Sequence, residues 1–114
     1  GTSGADVLAA IVLGYEVFER LARVGRPHEP TLRARGFHPT ALYGCAAAAA
    51  AAGRVRGLSP EQMAVAIGLA LTNAAGLNEQ HGSWGKGVHA GNAARAGVTA
   101  VLLAAGGYWA SSRI

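Results

Sequence analysis

Charged residues are scarce in this sequence of 114 residues, at 14% of the chain against 51% for hydrophobic residues. Aromatic residues supply only 6%, and the single cysteine, Cys45, excludes an intrachain disulfide and a metal site built from several cysteines. The four histidines have neither HExxH nor cysteine-paired spacing, so a metal site has little support. A composition this low in charge is typical of helices that are buried on more than one side.

Targeting, membrane-spanning and nucleic-acid-binding features are also lacking. No charged segment followed by an apolar core and a cleavage site opens the chain, and the lone cysteine suits a reducing cytoplasm. Glycine, asparagine or charge interrupts every apolar run that could cross a bilayer. The net charge is +4, but five of the ten basic residues fall in residues 20–35 without interleaved aromatic residues. We therefore expect a cytoplasmic protein with no membrane and no nucleic acid among its partners.

Four segments have the apolar spacing of α-helices, and none alternates as a strand does. The predicted helices cover residues 5–24, 39–55, 60–76 and 89–105. The second contains seven consecutive alanines, which allow close approach of neighbours, so we predict that it is the central helix. The predicted fold is all-α, an Ala-rich bundle of four to five helices that forms a single domain over residues 1–114. The basic segment 25–35 is predicted to be a loop with room for one helical turn.

Local signals mark several helix ends. Gly57 is expected to end the second helix, and Ser59, Pro60 and Gln62 form a capping box with proline at the first helical position. Thr72 and Asn73 are polar residues in an apolar run. We expect them to bond to neighbouring backbone in preference to facing a site.

The most informative stretch is the Gly-rich segment 82–87, which contains Lys86, the only lysine of the chain. His89, Asn92 and Arg95 follow at a spacing of three, so they share the first turns of the predicted last helix. A helix start favours anions, because its free N–H groups and its dipole point at whatever docks there. The alternative is a flexible connection in which His89 merely caps the helix.

A second candidate is His38, which precedes Pro39 and is therefore also expected at a helix N-terminus. A helix start disfavours the imidazolium and keeps this histidine able to accept a proton near neutral pH. The alternative is a capping or buried structural histidine.

These segments resemble the MmgE/PrpD family of 2-methylcitrate dehydratases and cis-aconitate decarboxylases. The resemblance covers about residues 5–108 and rests on three motifs in the family's order and spacing: GFHPT at residues 36–40, AAGL at 74–77 and GSWGKGVHAGNAARAG at 82–97. It implies a piece of the family's helical domain and a lyase that acts on small tricarboxylates. Dehydration, decarboxylation and isomerisation remain open.

Carried over by position, the family's active-site histidine falls on His38 and its active-site lysine on Lys86. The resemblance thus implies that His38 is an acid/base candidate and that Lys86 is an electrophilic anchor or acid. His89, Asn92 and Arg95 are orienting groups that bind the substrate, a small polycarboxylate. This scheme requires no metal and no organic cofactor.

The chain also departs from the family. Many members have Thr-Lys-Arg where Gly85, Lys86 and Gly87 stand here, which leaves the choice of tricarboxylate open. Members are several times longer, so we expect this chain to be an internal piece without the full active site. The alternative function is a non-catalytic, truncated helical module that self-associates through apolar helices. In either case the segment 60–76 has no wholly polar face, and a homo-oligomer is predicted.

Overall fold

The computed structural model describes residues 1–25 and 31–111, and these residues form four α-helices and one 3-10 helix. The α-helices are α1 (Gly4–Gly25), α2 (Pro39–Arg56), α3 (Pro60–Leu71) and α4 (Gly85–Ala105), and the 3-10 helix is Asn78–Gln80. The described residues contain no strand, only an isolated antiparallel bridge between Phe37 and Leu77. The predicted all-α fold is confirmed.

The local signals at the ends of α2 and α3 act as predicted. Gly57 follows α2 in the left-handed conformation, with φ 73°, which is the geometry that favours glycine after a helix. Ser59 accepts a hydrogen bond from the backbone N–H of Gln62, and the Gln62 side chain accepts one from the backbone N–H of Ser59. The capping box is therefore complete.

Two predicted helix boundaries were wrong. The third helix ends at Leu71 instead of continuing to Gly76, because the segment around Gly76 pairs with the chain before α2. At this end Thr72 Oγ1 donates to Leu69 O, the backbone bond that was expected. The last helix begins at Gly85, four residues before His89. Ser83 explains the early start, since its Oγ accepts from Gly85 N at 3.1 Å and its carbonyl accepts from Lys86 N at 3.2 Å.

Residues 32–35 of the predicted basic loop belong to a turn that extends to residue 36, and Arg35 N donates to Thr31 O at 2.9 Å. Residues 26–30 of that loop and residues 112–114 lie outside the described residues.

The Ala-rich helix α2 is central, as predicted, and packs against α1, α3 and α4. Most of the buried residues are alanines, because helices with small side chains can approach closely. The buried apolar side chains are Ala10, Ala41, Cys45, Ala46, Ala49, Ala50, Ala66, Ala70, Ala93, Ala96, Ala100, Val101 and Ala104. Burial raises the pKa of the Cys45 thiol, which donates to Leu42 O and is part of this core.

Helices α2 and α4 run side by side in the same direction. A Cβ added at Gly44 would lie 3.2 Å from Ala93 Cβ, and one added at Gly97 would lie 2.5 Å from Ala48 Cβ. Residues further along α2 therefore meet residues further along α4. The consequence for function is that the N-termini of both helices lie at the same end of the molecule.

The segment between α3 and α4 is tied to the chain that enters α2. Asn78 N donates to Gly36 O at 2.7 Å, and His38 N donates to Gly76 O at 3.0 Å. These bonds enclose the Phe37–Leu77 bridge. They hold the segment that precedes α4 against the start of α2.

Helix α1 keeps one apolar face against α2 and exposes another. Gly14 approaches the backbone of α2 at Ala47. The Phe18 and Tyr43 rings pack edge to face, with their centroids 5.8 Å apart. The exposed apolar side chains of α1 include Val7, Leu8, Ile11, Val12 and Tyr15. None of the helices within residues 1–25 and 31–111 combines the length and the apolar character that crossing a membrane would require.

Candidate functional site

His38 lies at the N-cap of α2, directly before Pro39, as the sequence predicted. The residue is 5% exposed and is the only polar or charged residue among those described that is fully buried. Its side chain makes no capping hydrogen bond to α2, so it does not serve as a helix cap. A buried polar side chain that is not used for capping requires another partner.

That partner is His89 of α4. Nδ1 of His38 lies 2.9 Å from Nδ1 of His89, and the ring centroids are 5.1 Å apart with the planes tilted by 42°. His89 is the fifth residue of α4 and half-buried, so it does not cap that helix. The parallel course of α2 and α4 brings the two histidines together from distant parts of the sequence.

A third imidazole, that of His81, completes the cluster. Its ring lies perpendicular to that of His38, with centroids 4.9 Å apart, and the residue itself is exposed. The sequence did not mark His81 as a site residue, because nothing in its local pattern distinguishes it. His81 lies beside His38 only because the segment preceding α4 contacts the start of α2. No local sequence pattern predicts that contact.

Burial lowers the pKa of His38, since desolvation penalises the imidazolium. His81, His89, Lys86 and Arg33 lower this pKa further through their positive charge. His38 is consequently neutral at pH 7 and able to accept a proton. The sequence had attributed the same direction to the helix start, whereas burial is the largest cause.

Gly76 leaves space for the His89 ring of this pair. A Cβ at this position would run into Ala41 Cβ and would lie 3.3 Å from two carbons of the His89 ring. Its carbonyl accepts the hydrogen bond from His38 N at 3.0 Å. A larger residue would therefore displace the pair, which gives the AAGL motif a physical reason for its glycine.

Lys86 lies in the first turn of α4 and is exposed. Together with Gly82, Ser83, Trp84 and Gly87, it lines an open cavity of about 350 Å³. Its charge acts on His38, so the lysine and the histidine share one end of the molecule. Trp84 beside it is 98% exposed.

The other two predicted substrate-binding residues, Asn92 and Arg95, follow three and six residues after His89. Both are exposed on α4. His89 is therefore the member of this series that contacts His38, and a substrate role for Asn92 and Arg95 stays a prediction. Within residues 1–25 and 31–111, no group of three or more His, Cys, Asp or Glu side chains is arranged to hold a metal ion.

Comparison with known proteins gives this arrangement a family. The model of the MmgE/PrpD N-terminal domain matches residues 1–114, which is the whole sequence. The chain belongs to the MmgE/PrpD family. This agrees with the resemblance carried by the GFHPT, AAGL and GSWGKGVHAGNAARAG motifs.

Several curated relatives of this MmgE/PrpD chain are named as decarboxylases. Cis-aconitate decarboxylase of Aspergillus terreus is 41% identical over 107 residues, which is 93% of this chain and 21% of that protein. The cis-aconitate decarboxylase-like protein oryM of Aspergillus oryzae is 39% identical over 107 residues, 93% of this chain and 22% of its own. Cis-aconitate decarboxylase of Homo sapiens is 34% identical over 102 residues, 90% of this chain and 21% of its own. The chain spans about a fifth of the length of these relatives.

Proposed function

We propose that this chain contributes part of the active site of a lyase that acts on small tricarboxylates, with decarboxylation of cis-aconitate or a close analogue as the reaction. The observation that carries the proposal is the buried, neutral His38, held by His89 at the end of the molecule where Lys86 also lies. The names of the relatives favour decarboxylation over dehydration. We place the protein in the cytoplasm, where the lone Cys45 would remain a thiol.

The chemistry of this reaction matches the groups present. Decarboxylation leaves an electron pair on carbon, and a positioned acid must deliver a proton there. An imidazole that is neutral near pH 7 can accept that proton beforehand and return it at the reacting carbon. Dehydration of a tricarboxylate would use the same group as a base, so the histidine fits either reaction.

Binding of the carboxylates falls to the positive end of the helix pair. The N-termini of α2 and α4 lie together, and each presents the positive end of a helix dipole. Lys86 adds a full positive charge at the start of α4. His89, Asn92 and Arg95 are proposed to orient the substrate along the following turns, and the scheme needs no metal or organic cofactor.

The proposed reaction is tested with the protein expressed from its complete gene. We expect carbon dioxide release from cis-aconitate, with slower or no conversion of citrate and 2-methylcitrate. Loss of water from 2-methylcitrate without carbon dioxide release would replace decarboxylation by dehydration. Residues 1–114 by themselves are expected to show no turnover, since they span about a fifth of the relatives' length.

Substitution of Lys86 should weaken turnover of the lyase. We expect Lys86→Ala to lower kcat/KM by roughly ten- to a hundred-fold, because a charge-assisted contact to a carboxylate is worth about 1.5–3 kcal/mol. Lys86→Arg should retain more of the activity. The matched control is Arg56→Ala, which removes one positive charge from the exposed opposite end of α2. An equal loss in Arg56→Ala would mean that Lys86 acts only through the net charge of the protein.

One observation favours self-association, which is expected both for the lyase and for the alternative, a non-catalytic helical module. Helix α1 exposes an apolar face on which Leu8 is 66% and Tyr15 is 75% exposed, although its other face packs against α2. We propose that a further copy of the protein covers this face, so that the lyase is a homo-oligomer. Sedimentation would contradict the proposal if it showed a monomer across concentrations. An oligomer with no turnover of any tricarboxylate would favour the non-catalytic alternative.

A further inference from the structure

We propose that His38 and His89 form a two-imidazole proton relay, in which His89 is a positioning residue that fixes the tautomer of His38 and takes up the charge when His38 accepts a proton. The relay deepens the lyase function proposed above and rests on it for the identity of the substrate. The arrangement of the two rings stands independently of that function.

The contact between the rings requires that only one of the two Nδ1 atoms is protonated. Two Nδ1 atoms at 2.9 Å form a hydrogen bond only if one is protonated and the other presents its lone pair. Two imidazolium rings would place two N–H groups head to head, and two rings protonated only on Nε2 would place two lone pairs head to head. The pair therefore shares one proton between its Nδ1 atoms, and any exchange with a substrate falls to Nε2 of His38.

Burial decides which ring carries a positive charge. His38 is 5% exposed, whereas His89 is half-buried and loses less hydration. When the pair binds one extra proton, the imidazolium is consequently His89, which donates Nδ1–H to a neutral His38. Arg33 from the turn before α2, His81 from the segment before α4 and Lys86 from α4 also disfavour a cation on His38 through their positive charge.

The absence of a carboxylate next to His38 makes the second imidazole important. Within the described residues, no acidic group is among those whose charge acts on His38. In catalytic triads a carboxylate orients the histidine and stabilises the imidazolium. Here His89 occupies the corresponding place at Nδ1, and it can itself accept the proton.

The step balances as follows. In the resting pair His38 donates Nδ1–H to His89, and the lone pair of His38 Nε2 is free. Nε2 takes a proton from the substrate or from solvent, the Nδ1–H bond of His38 breaks, and that proton forms a bond to Nδ1 of His89. His38 is then neutral with its proton on Nε2, and His89 is the imidazolium. Return of the proton to the carbanion left by decarboxylation reverses both transfers and restores the resting pair.

Two structural features hold the rings in this register. Ala41 and the His89 ring leave no room for a side chain at position 76, so the His89 ring is confined on the side of Gly76. The close approach of α2 and α4 at Gly97 fixes the relative position of the two helices. The relay is thus built on packed helices and not on a loop.

The first test follows the histidine tautomers by NMR. We would label the histidines of the protein expressed from its complete gene with ¹⁵N and record their ring shifts from about pH 8 to about pH 4. The relay requires that His38 and His89 titrate as a coupled pair in two steps, and that the first proton produces the imidazolium on His89. Independent titration of the two rings, or a first imidazolium on His38, would overturn it.

The second test separates the relay from simple packing. Asn at position 89 keeps a hydrogen-bonding group near the place of Nδ1 but cannot accept a proton. We expect His89→Asn to reduce kcat at least about ten-fold with a much smaller change in KM, and to reduce the titration of His38 to one step. The control is His81→Asn, which removes a neighbouring ring and should leave the two-step titration in place.

The outcomes distinguish this inference from the proposed function. Retention of full kcat in His89→Asn would show that His89 only packs against His38, and the relay would be rejected. If the wild-type protein shows the coupled titration but releases no carbon dioxide from cis-aconitate, the relay stands and the proposed substrate falls.

Discussion

His38→Ala is expected to lower kcat of the proposed lyase by about 10²- to 10⁴-fold, the contribution that a positioned acid/base group makes. The substitution removes the buried imidazole that we propose exchanges a proton with the substrate, and it leaves His89 without its partner at Nδ1. The measurement is carbon dioxide release from cis-aconitate by the protein expressed from its complete gene. Thermal unfolding of the variant must accompany it, because a buried side chain is lost.

Two comparisons make the result for His38 interpretable. His38→Gln replaces a similar volume without an acid/base group and should lose as much activity as the alanine variant. His81→Ala removes an exposed ring from the edge of His38 and should cost much less. A His38→Ala variant that keeps kcat within about three-fold of the wild-type value would exclude His38 as the catalytic acid or base.

The fold followed from the sequence wherever the signal was local. The capping box at Ser59 and the left-handed Gly57 satisfy backbone groups within a few residues, so their sequence predicts their structure. Pro39 after His38 is equally local, because it lacks the N–H that a first helical turn would leave unpaired. The polyalanine run predicted a central helix for a different reason: its small side chains allow neighbouring helices to approach on several sides.

The end of α3 depended on contacts that are distant in sequence, whereas the start of α4 depended on a single serine nearby. Residues 72–76 are compatible with a helix, but the segment around Gly76 and Leu77 instead bonds to residues 36–38. A tertiary backbone pairing thus replaces helical hydrogen bonds that the periodic pattern allowed. At the start of α4, Ser83 supplies side-chain and carbonyl acceptors that a Gly-rich pattern does not reveal.

The candidate site was predictable residue by residue but not as an arrangement. His38 and Lys86 each came from a motif, and both lie at helix N-termini at one end of the molecule. The contact between His38 and His89 depends on the parallel register of α2 and α4, which follows from small residues along both helices. Sequence alone assigned His89 to the substrate, and it did not reveal that Nδ1 of His89 contacts Nδ1 of His38.

The register that brings these histidines together also predicts the largest effect on stability. A Cβ at Gly97 would lie 2.6 Å from Ala49 N and 2.5 Å from Ala48 Cβ, so α2 and α4 would have to separate. We expect Gly97→Val to lower the free energy of unfolding by an amount at the upper end of about 1–3 kcal/mol, the usual cost of overpacking. The measurement is chemical denaturation with the circular dichroism signal of the helices.

The matched control for Gly97→Val is Gly91→Val in the same helix. A Cβ at Gly91 has no neighbouring atom within 4 Å, so this variant should change the free energy of unfolding by less than about 0.5 kcal/mol. In Gly97→Val the separation of the helices should also lengthen the bond between His38 and His89, so the two rings should titrate more independently in whatever fraction remains folded. Equal stability of the two variants would contradict the close approach of α2 and α4, and with it the register on which the histidine pair depends.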